Sequence, residues 1–302
     1  MSAGTVEEHV PIPRRQDEDE FVAMRAAARR TSDRADLIRL AQNFGTIVLA
    51  IAAPLLALFW PHGSDTLAIA AVVWLFAGRT WLKSLHRSLH ARSAKFQELY
   101  DVGLFGLEWN TAVAGPRWKA RDAISTVRAR PIDKDLGWYE KVPEVPWPLD
   151  ALACQVQNLL WSRKNHRAYA KVLWTGFAVV IALALAVWAA KEFSTGVFLA
   201  KLFVPLVPAL LDLSELPRQH QDAAQARERL EESIQELWQR HAAGRPITAS
   251  DCREVQDSIF EMRTSTPPVA TWVHRYMHKD IQSANATRME DIRQEIARLA
   301  AG

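Results

Sequence analysis

Apolar and polar positions in this chain segregate over tens of residues rather than alternating residue by residue. Four apolar runs stand in two pairs: Phe44–Trp60 with Thr66–Leu82, and Val172–Ala190 with Glu192–Leu213. The third run carries no charge over 19 residues, so as a helix it is about 28 Å long, matching a hydrocarbon core of about 30 Å. The first run has 17 residues with Pro54 inside it, and the second has thirteen before Arg79. The second spans only if Arg79 snorkels to the headgroups. Each short run sits a few polar residues from its partner, so the pattern predicts two membrane hairpins.

The polar stretches predict further helices. Asp17–Gln42 places Phe21, Met24, Ala28, Leu37, Leu40 and Ala41 at roughly helical spacing and runs into the first span. Leu82–Tyr100 continues the second span with Leu82, Leu85, Leu89 and Phe96 on one face. "DVGLFGLEWN" predicts a loop or short extended piece, and a helix follows around Trp118–Arg128. Four prolines make "RPIDKDLGWYEKVPEVPWPLD" irregular. A helix resumes from Leu149 and enters the third span without a breaker. Beyond the fourth run, Ser214 is a candidate N-cap and Gly244 a terminator. Ala223, Leu230 and Leu237 repeat every seven residues, which permits self-association. Thr248 with Asp251 forms a capping-box pattern, and a last helix runs over about Val269–Leu299.

The expected fold class is therefore an all-α membrane protein of two transmembrane hairpins, with a helical cytoplasmic insert and a helical cytoplasmic C-terminal region. The boundaries are 1–43 for an N-terminal arm and helix, 44–82 for the first hairpin and 83–171 for the insert. The second hairpin takes 172–213 and the C-terminal region 214–302.

Composition alone hides this layout, at 24% charged residues and net charge +3. The distribution of basic residues sets orientation. The links "PHGSD" and "KE" hold a single Lys or Arg, Lys191. The opposite flanks carry Arg30, Arg34, Arg39, Lys83, Arg87, Arg92, Arg163, Lys164, Arg167 and Lys171. Both hairpin turns face outward, and both termini lie in the cytoplasm. The acidic "QDEDE" start does not fit a cleaved signal peptide. Cys154 and Cys252 fall in cytoplasmic segments and read as free thiols.

Catalytic spacing is absent. There is no phosphate-binding glycine loop, no HExxH and no nucleophile elbow, so no enzyme activity and no cofactor are expected. His86/His90 and His274/His278 stand at i, i+4 without an obvious third ligand in sequence, so no metal is expected. Lys201 is the exception among polar positions. An ionisable group at mid-membrane costs about 2.5–3.5 kcal/mol, so by default it faces a bundle interior or water. Pro205 and Pro208 free backbone carbonyls beside it, describing a kinked helix with a polar face. The three are candidate pore-lining residues. Two hairpins per chain cannot enclose a wide aqueous path, so a pore requires a homo-oligomer in the lipid bilayer. Snorkelling of Lys201 from a tilted helix is the competing reading. Cytoplasmic tryptophans beside arginines suit stacked bases and phosphates, or equally a core with solvated arginines.

"PIPRRQDEDEFVAMRAAARR", "ELYDVGLFGLEWN", "GWYEKVPEVPWPLDALACQVQNLLWSRKNHRAYAKV" and "CREVQDSIFEMRTSTPPVATWVHRYMHKDIQSA" resemble, in that order, the SMODS-associated four-transmembrane effector family. Val156 and Ser162 stand where the family pattern "CQRxNxxWD" has Arg and Asp. The resemblance implies a pore-forming effector of a bacterial anti-phage cyclic-oligonucleotide (CBASS) system. A CD-NTase-type synthase would make a cyclic oligonucleotide ligand that triggers it, and no DNA partner is implied. Residues of the resembling motifs that would contact the nucleotide are Arg14, Arg15, Gln16, Trp138, Tyr139, Gln155, Asn158, Arg253, Gln256 and Arg263. The alternative is a membrane-anchored interaction scaffold without pore activity.

Overall fold

The structure is a computed structural model that describes residues 11–59, 64–142, 144–190, 194–199, 203–273, 276, 282–283 and 286–294. Among the described residues it is all-helical, with no strand. A one-turn helix α1 (Ile12–Arg15) precedes the long α2 (Asp19–Phe59). Then α3 (Ser64–Ala77) passes through a π-turn, Gly78–Leu82, into α4 (Lys83–Phe105). Short helices α5 (Thr111–Ala114) and α6 (Arg117–Ser125) lead to an irregular segment. There follow α7 (Leu149–Ala190), α8 (Thr195–Phe198), α9 (Val204–Ala242) and α10 (Ala249–Ser265).

Two antiparallel pairings organise these rods. α2 packs against α3 and α4. Ser93 Oγ donates to the Ala28 carbonyl, and the Phe21 ring meets Tyr100 edge-on at 5.9 Å. Gly45 lies against the Trp74 indole, where a Cβ would come within 2.1 Å of the ring. α7 pairs with α9 in the same sense, through Arg163 with Glu228 and His166 with His220. α10 packs across α4, α7 and α9 and closes a shared core around Tyr100, Phe105, Leu152, Ile234 and Trp238.

Both α2 and α7 have two halves. Phe21, Met24 and Ala28 of α2 are buried, as their spacing predicts. Further along, Leu37, Leu40 and Phe44 are exposed. The same change occurs along α7, from buried Leu152 and Leu159 to exposed Val179, Leu183 and Trp188. α7 is the one helix among the described residues long and apolar enough to cross a membrane, and none of its apolar window is buried.

Several boundaries differ from the sequence expectation. The helix expected to stop at Tyr100 continues to Phe105, because Val102, Leu104 and Phe105 are all buried. That burial outweighs the helix penalty of Gly103, about 1 kcal/mol. Gly103 also admits the Phe21 ring, which a Cβ would meet at 3.2 Å. Gly106, at φ 67°, ends the helix in the left-handed conformation. Ser214 caps nothing: α9 runs through it, and its Oγ donates to the Leu211 carbonyl. Pro205 is the second residue of α9, and the residues before Phe203 that bear on the expected kink lie outside the described ones. Ala223 is buried, and Leu230 and Leu237 pack on the core of their own chain, so this heptad stripe is already partnered. The segment 267–270 is non-helical, and helix resumes at Thr271.

Candidate functional site

Three helices each carry a polar pair at i, i+3 inside an otherwise apolar face: Glu98/Asp101 on α4, Gln155/Asn158 on α7 and Arg253/Gln256 on α10. This spacing puts both members of a pair on one side of a helix. The three sides meet in the core. Glu98 and Asp101 are only 1% and 2% exposed. Arg253 donates to Glu98 Oε1 at 2.7 Å, and Gln256 Nε2 donates to Glu98 Oε2 at 2.8 Å. Asp101 accepts from Arg263 Nη1 at 2.6 Å, from the Tyr139 hydroxyl at 2.6 Å and from Gln256 at 3.3 Å. Asn158 donates to the same hydroxyl at 2.7 Å, and Gln155 donates to the Cys252 carbonyl at 2.8 Å. α1 joins through Gln16, which accepts from Tyr139 N at 2.8 Å and donates to its carbonyl at 3.1 Å.

Burial pushes the Glu98 carboxyl up, while Gln256 and Arg253 pull it back. For Arg263 burial pulls the guanidinium down, but Asp101 and the other nearby anionic groups outweigh it and the net shift is upward. The Tyr139 and Cys154 protons are held well above their ordinary range, first by burial. Arg263 therefore stays charged, and Tyr139 and Cys154 keep their protons, near neutral pH, which suits a rigid polar core.

The structure thus brings together seven sequence candidates: Gln16, Tyr139, Gln155, Asn158, Arg253, Gln256 and Arg263. Arg15 is held at the end of α4, donating to the Gly103 and Leu104 carbonyls, where a cation suits the helix terminus. Arg14 is exposed and apart. Trp138 lies at the edge of the network, half-buried, 6.4 Å from the Trp161 ring. Lys201 lies outside the described residues, as do His274 and His278, and the side chains of Pro205 and Pro208 are likewise outside them. Sequence reasoning missed Glu98, Asp101 and Arg25. The first two stand in the quoted "ELYDVGLFGLEWN", where an acidic i, i+3 pair inside an apolar face was the available signal.

The residues after α10 tie this core to both helical pairs. Arg227 of α9 donates to Thr266, and Arg39 of α2 donates to the Pro268 carbonyl. Thr271 donates to Asp36 of α2, and the Trp272 ring stacks edge-on against Tyr169 of α7 at 6.2 Å. Beneath this strap His166 and His220 join α7 to α9 through their Nδ1 atoms, 2.8 Å apart. His220 is fully buried, and burial pulls its pKa to about 4, helped by Arg39 and Arg227. The His86 and His90 rings stack at 6.0 Å, and burial lowers both pKa values. No group of three or more His, Cys, Asp or Glu suited to a metal occurs among the described residues. Chemically, the arrangement can hold and relay a conformation between a packed body and two long helical pairs.

Comparison with known proteins gives the same direction. The sequence model of the SMODS-associating 4TM effector domain matches residues 10–292. A protein of Bacillus cereus (strain VD146) named as a probable CBASS effector molecule is 24% identical over 225 residues, covering 71% of this chain and 76% of that protein. No solved structure matches.

Proposed function

The chain belongs to the SMODS-associating 4TM effector family, a family of anti-phage CBASS effectors, and from that premise we propose that it breaches the bacterial inner membrane when a cyclic oligonucleotide binds its cytoplasmic body. The observation that carries the reading is the division of each long helical pair. One half is buried in a common core, and the other displays Leu37, Phe44, Val72, Phe76, Leu183 and Trp188 to the outside. Apolar surface of that extent needs a covering, and a bilayer supplies it for helices of this length. In this reading the two pairs are transmembrane hairpins spanning 44–82 and 172–213, with both termini in the cytoplasm, where the basic flanks place them.

Several copies assemble around an aqueous path lined by Lys201, Pro205 and Pro208, since the hairpins of one chain are too few to enclose it. The nucleotide is received on the cytoplasmic side by residues drawn from Arg14, Arg15, Gln16, Trp138, Tyr139, Gln155, Asn158, Arg253, Gln256 and Arg263. Seven of these sit in the buried network, so the ligand acts on a packed core that α2 and α7 carry unbroken into the apolar segments. No chemical transformation is assigned to the chain.

The test replaces 44–82 and 172–213 with unrelated spans of equal length, keeping the cytoplasmic body intact. Loss of infection arrest at matched expression is the expected result. Full protection by the chimaera would overturn membrane breach and leave a membrane-anchored scaffold.

A further inference from the structure

Arg25 is the cation that the buried network leaves over. It projects from α2 beside Asp101 and Asp135, but both carboxylates are taken. Asp101 is paired with Arg263 at 2.6 Å, and Asp135 is gripped by both Nε and Nη2 of Arg29 at 2.9 and 3.0 Å. Glu98 likewise holds Arg253. Among the described residues Arg25 has no hydrogen bond and no ion pair, and its Nε is closed off from solvent. What it does have is aromatic. Its guanidinium lies 3.3 Å from the centre of the Trp138 ring and 5.4 Å from that of Tyr100. The buried Tyr100 hydroxyl is also without a partner.

A half-buried guanidinium without a counter-ion is an unfavourable thing to keep. Cation–π contact offsets only part of the desolvation. Stacking uses the π face of the guanidinium and leaves its N–H fork for a bidentate anion. We propose that Arg25, Trp138 and Tyr100 form the phosphate-binding corner of a nucleotide site, with the Trp138–Trp161 wall beside it taking the base. This rests on the nucleotide-triggered reading above and names where the trigger binds.

The position says what the ligand would move. Arg25 belongs to α2, Tyr100 to α4 and Trp161 to α7, and Trp138 comes from the irregular segment between α6 and α7. A phosphate on Arg25 with a base against Trp161 links the helices that continue into the first and third apolar runs. A lipid headgroup does not fit the same corner. Arg25 lies nineteen residues before Phe44, which is about 28 Å along a helix.

The test uses the full chain in detergent micelles, titrated calorimetrically with c-di-GMP, c-di-AMP and cyclic tri-adenylate. Binding of at least one probe is expected, weakened about 10- to 100-fold in Arg25→Ala, as loss of a charge-assisted contact implies. Arg25→Lys keeps the charge without the fork and should fall between, Trp138→Leu should also weaken binding, and the exposed Arg30→Ala should match wild type. Phenylglyoxal labelling read by peptide mass gives a second measurement on unmutated protein, in which the bound probe protects Arg25. A probe that binds Arg25→Ala at wild-type affinity and leaves Arg25 equally reactive overturns this site while sparing the nucleotide trigger. Failure of every probe to bind wild type overturns the nucleotide trigger together with the site.

Discussion

Asp101→Ala is the sharpest test of the buried network. The carboxylate is almost wholly enclosed and accepts three hydrogen bonds, from Arg263, the Tyr139 hydroxyl and Gln256. Tyr139 keeps its bond from Asn158, and Gln256 keeps its stronger one to Glu98. The cost therefore falls mainly on Arg263, left charged in the core. Removing one partner of a buried pair costs about 3–5 kcal/mol. The Arg263 side chain is 17% exposed, so it recovers some hydration and the lower end, about 3 kcal/mol, is expected. At about 2 °C per kcal/mol for a chain of this size, Tm should fall by about 6 °C. Asp101→Leu with Arg263→Met removes both charges together and should recover most of the loss. The assay is thermal unfolding of the detergent-solubilised chain, followed by near-ultraviolet circular dichroism. A single variant losing under about 1 kcal/mol, or a double variant no better than the single, would refute the pairing as a structural keystone.

Two further outcomes follow from the same structure, and two from the sequence position of Lys201. His220 has its pKa lowered to about 4 by burial, so stability is full above about pH 6.5 and declines as pH falls toward 4, by on the order of 3 kcal/mol; His220→Phe should flatten that decline in a pH series of melts. Gly45→Val drives a side chain into the Trp74 indole and should cost about 1–3 kcal/mol through overpacking, read as weaker liposome leakage with unchanged helix content. Lys201→Leu should improve insertion by about 3 kcal/mol yet reduce conductance. Lys201→Glu should shift selectivity toward cations, with single-channel recording deciding both.

The long helices were legible because their signals are local. Leu149 opens α7 at the residue where the proline-rich segment ends, and the Thr248/Asp251 capping box begins α10 as its spacing implies. Gly244, at φ 85°, lies just past the end of α9. The end of α4 was not legible, because Gly103 looks like a breaker until Phe21 packs onto it. The network was half legible. Gln256, Arg253 and Arg263 drew attention as polar residues in resembling motifs, but the carboxylates that satisfy them come from 155 to 162 positions away. Sequence spacing carries no signal for that pairing. Arg25 was hidden for the same reason, since being unpaired is a property of three dimensions. The apolar stretches were plain in the sequence, and the structure adds that Leu37 and Leu183 are exposed among the described residues.

Membrane breach is tested most directly by following membrane potential with a voltage-sensitive dye in phage-infected cells carrying this chain and its cognate synthase. Depolarisation after infection and before lysis, absent in cells lacking the chain, is the expected result. A fully maintained potential throughout a protective infection arrest would contradict it.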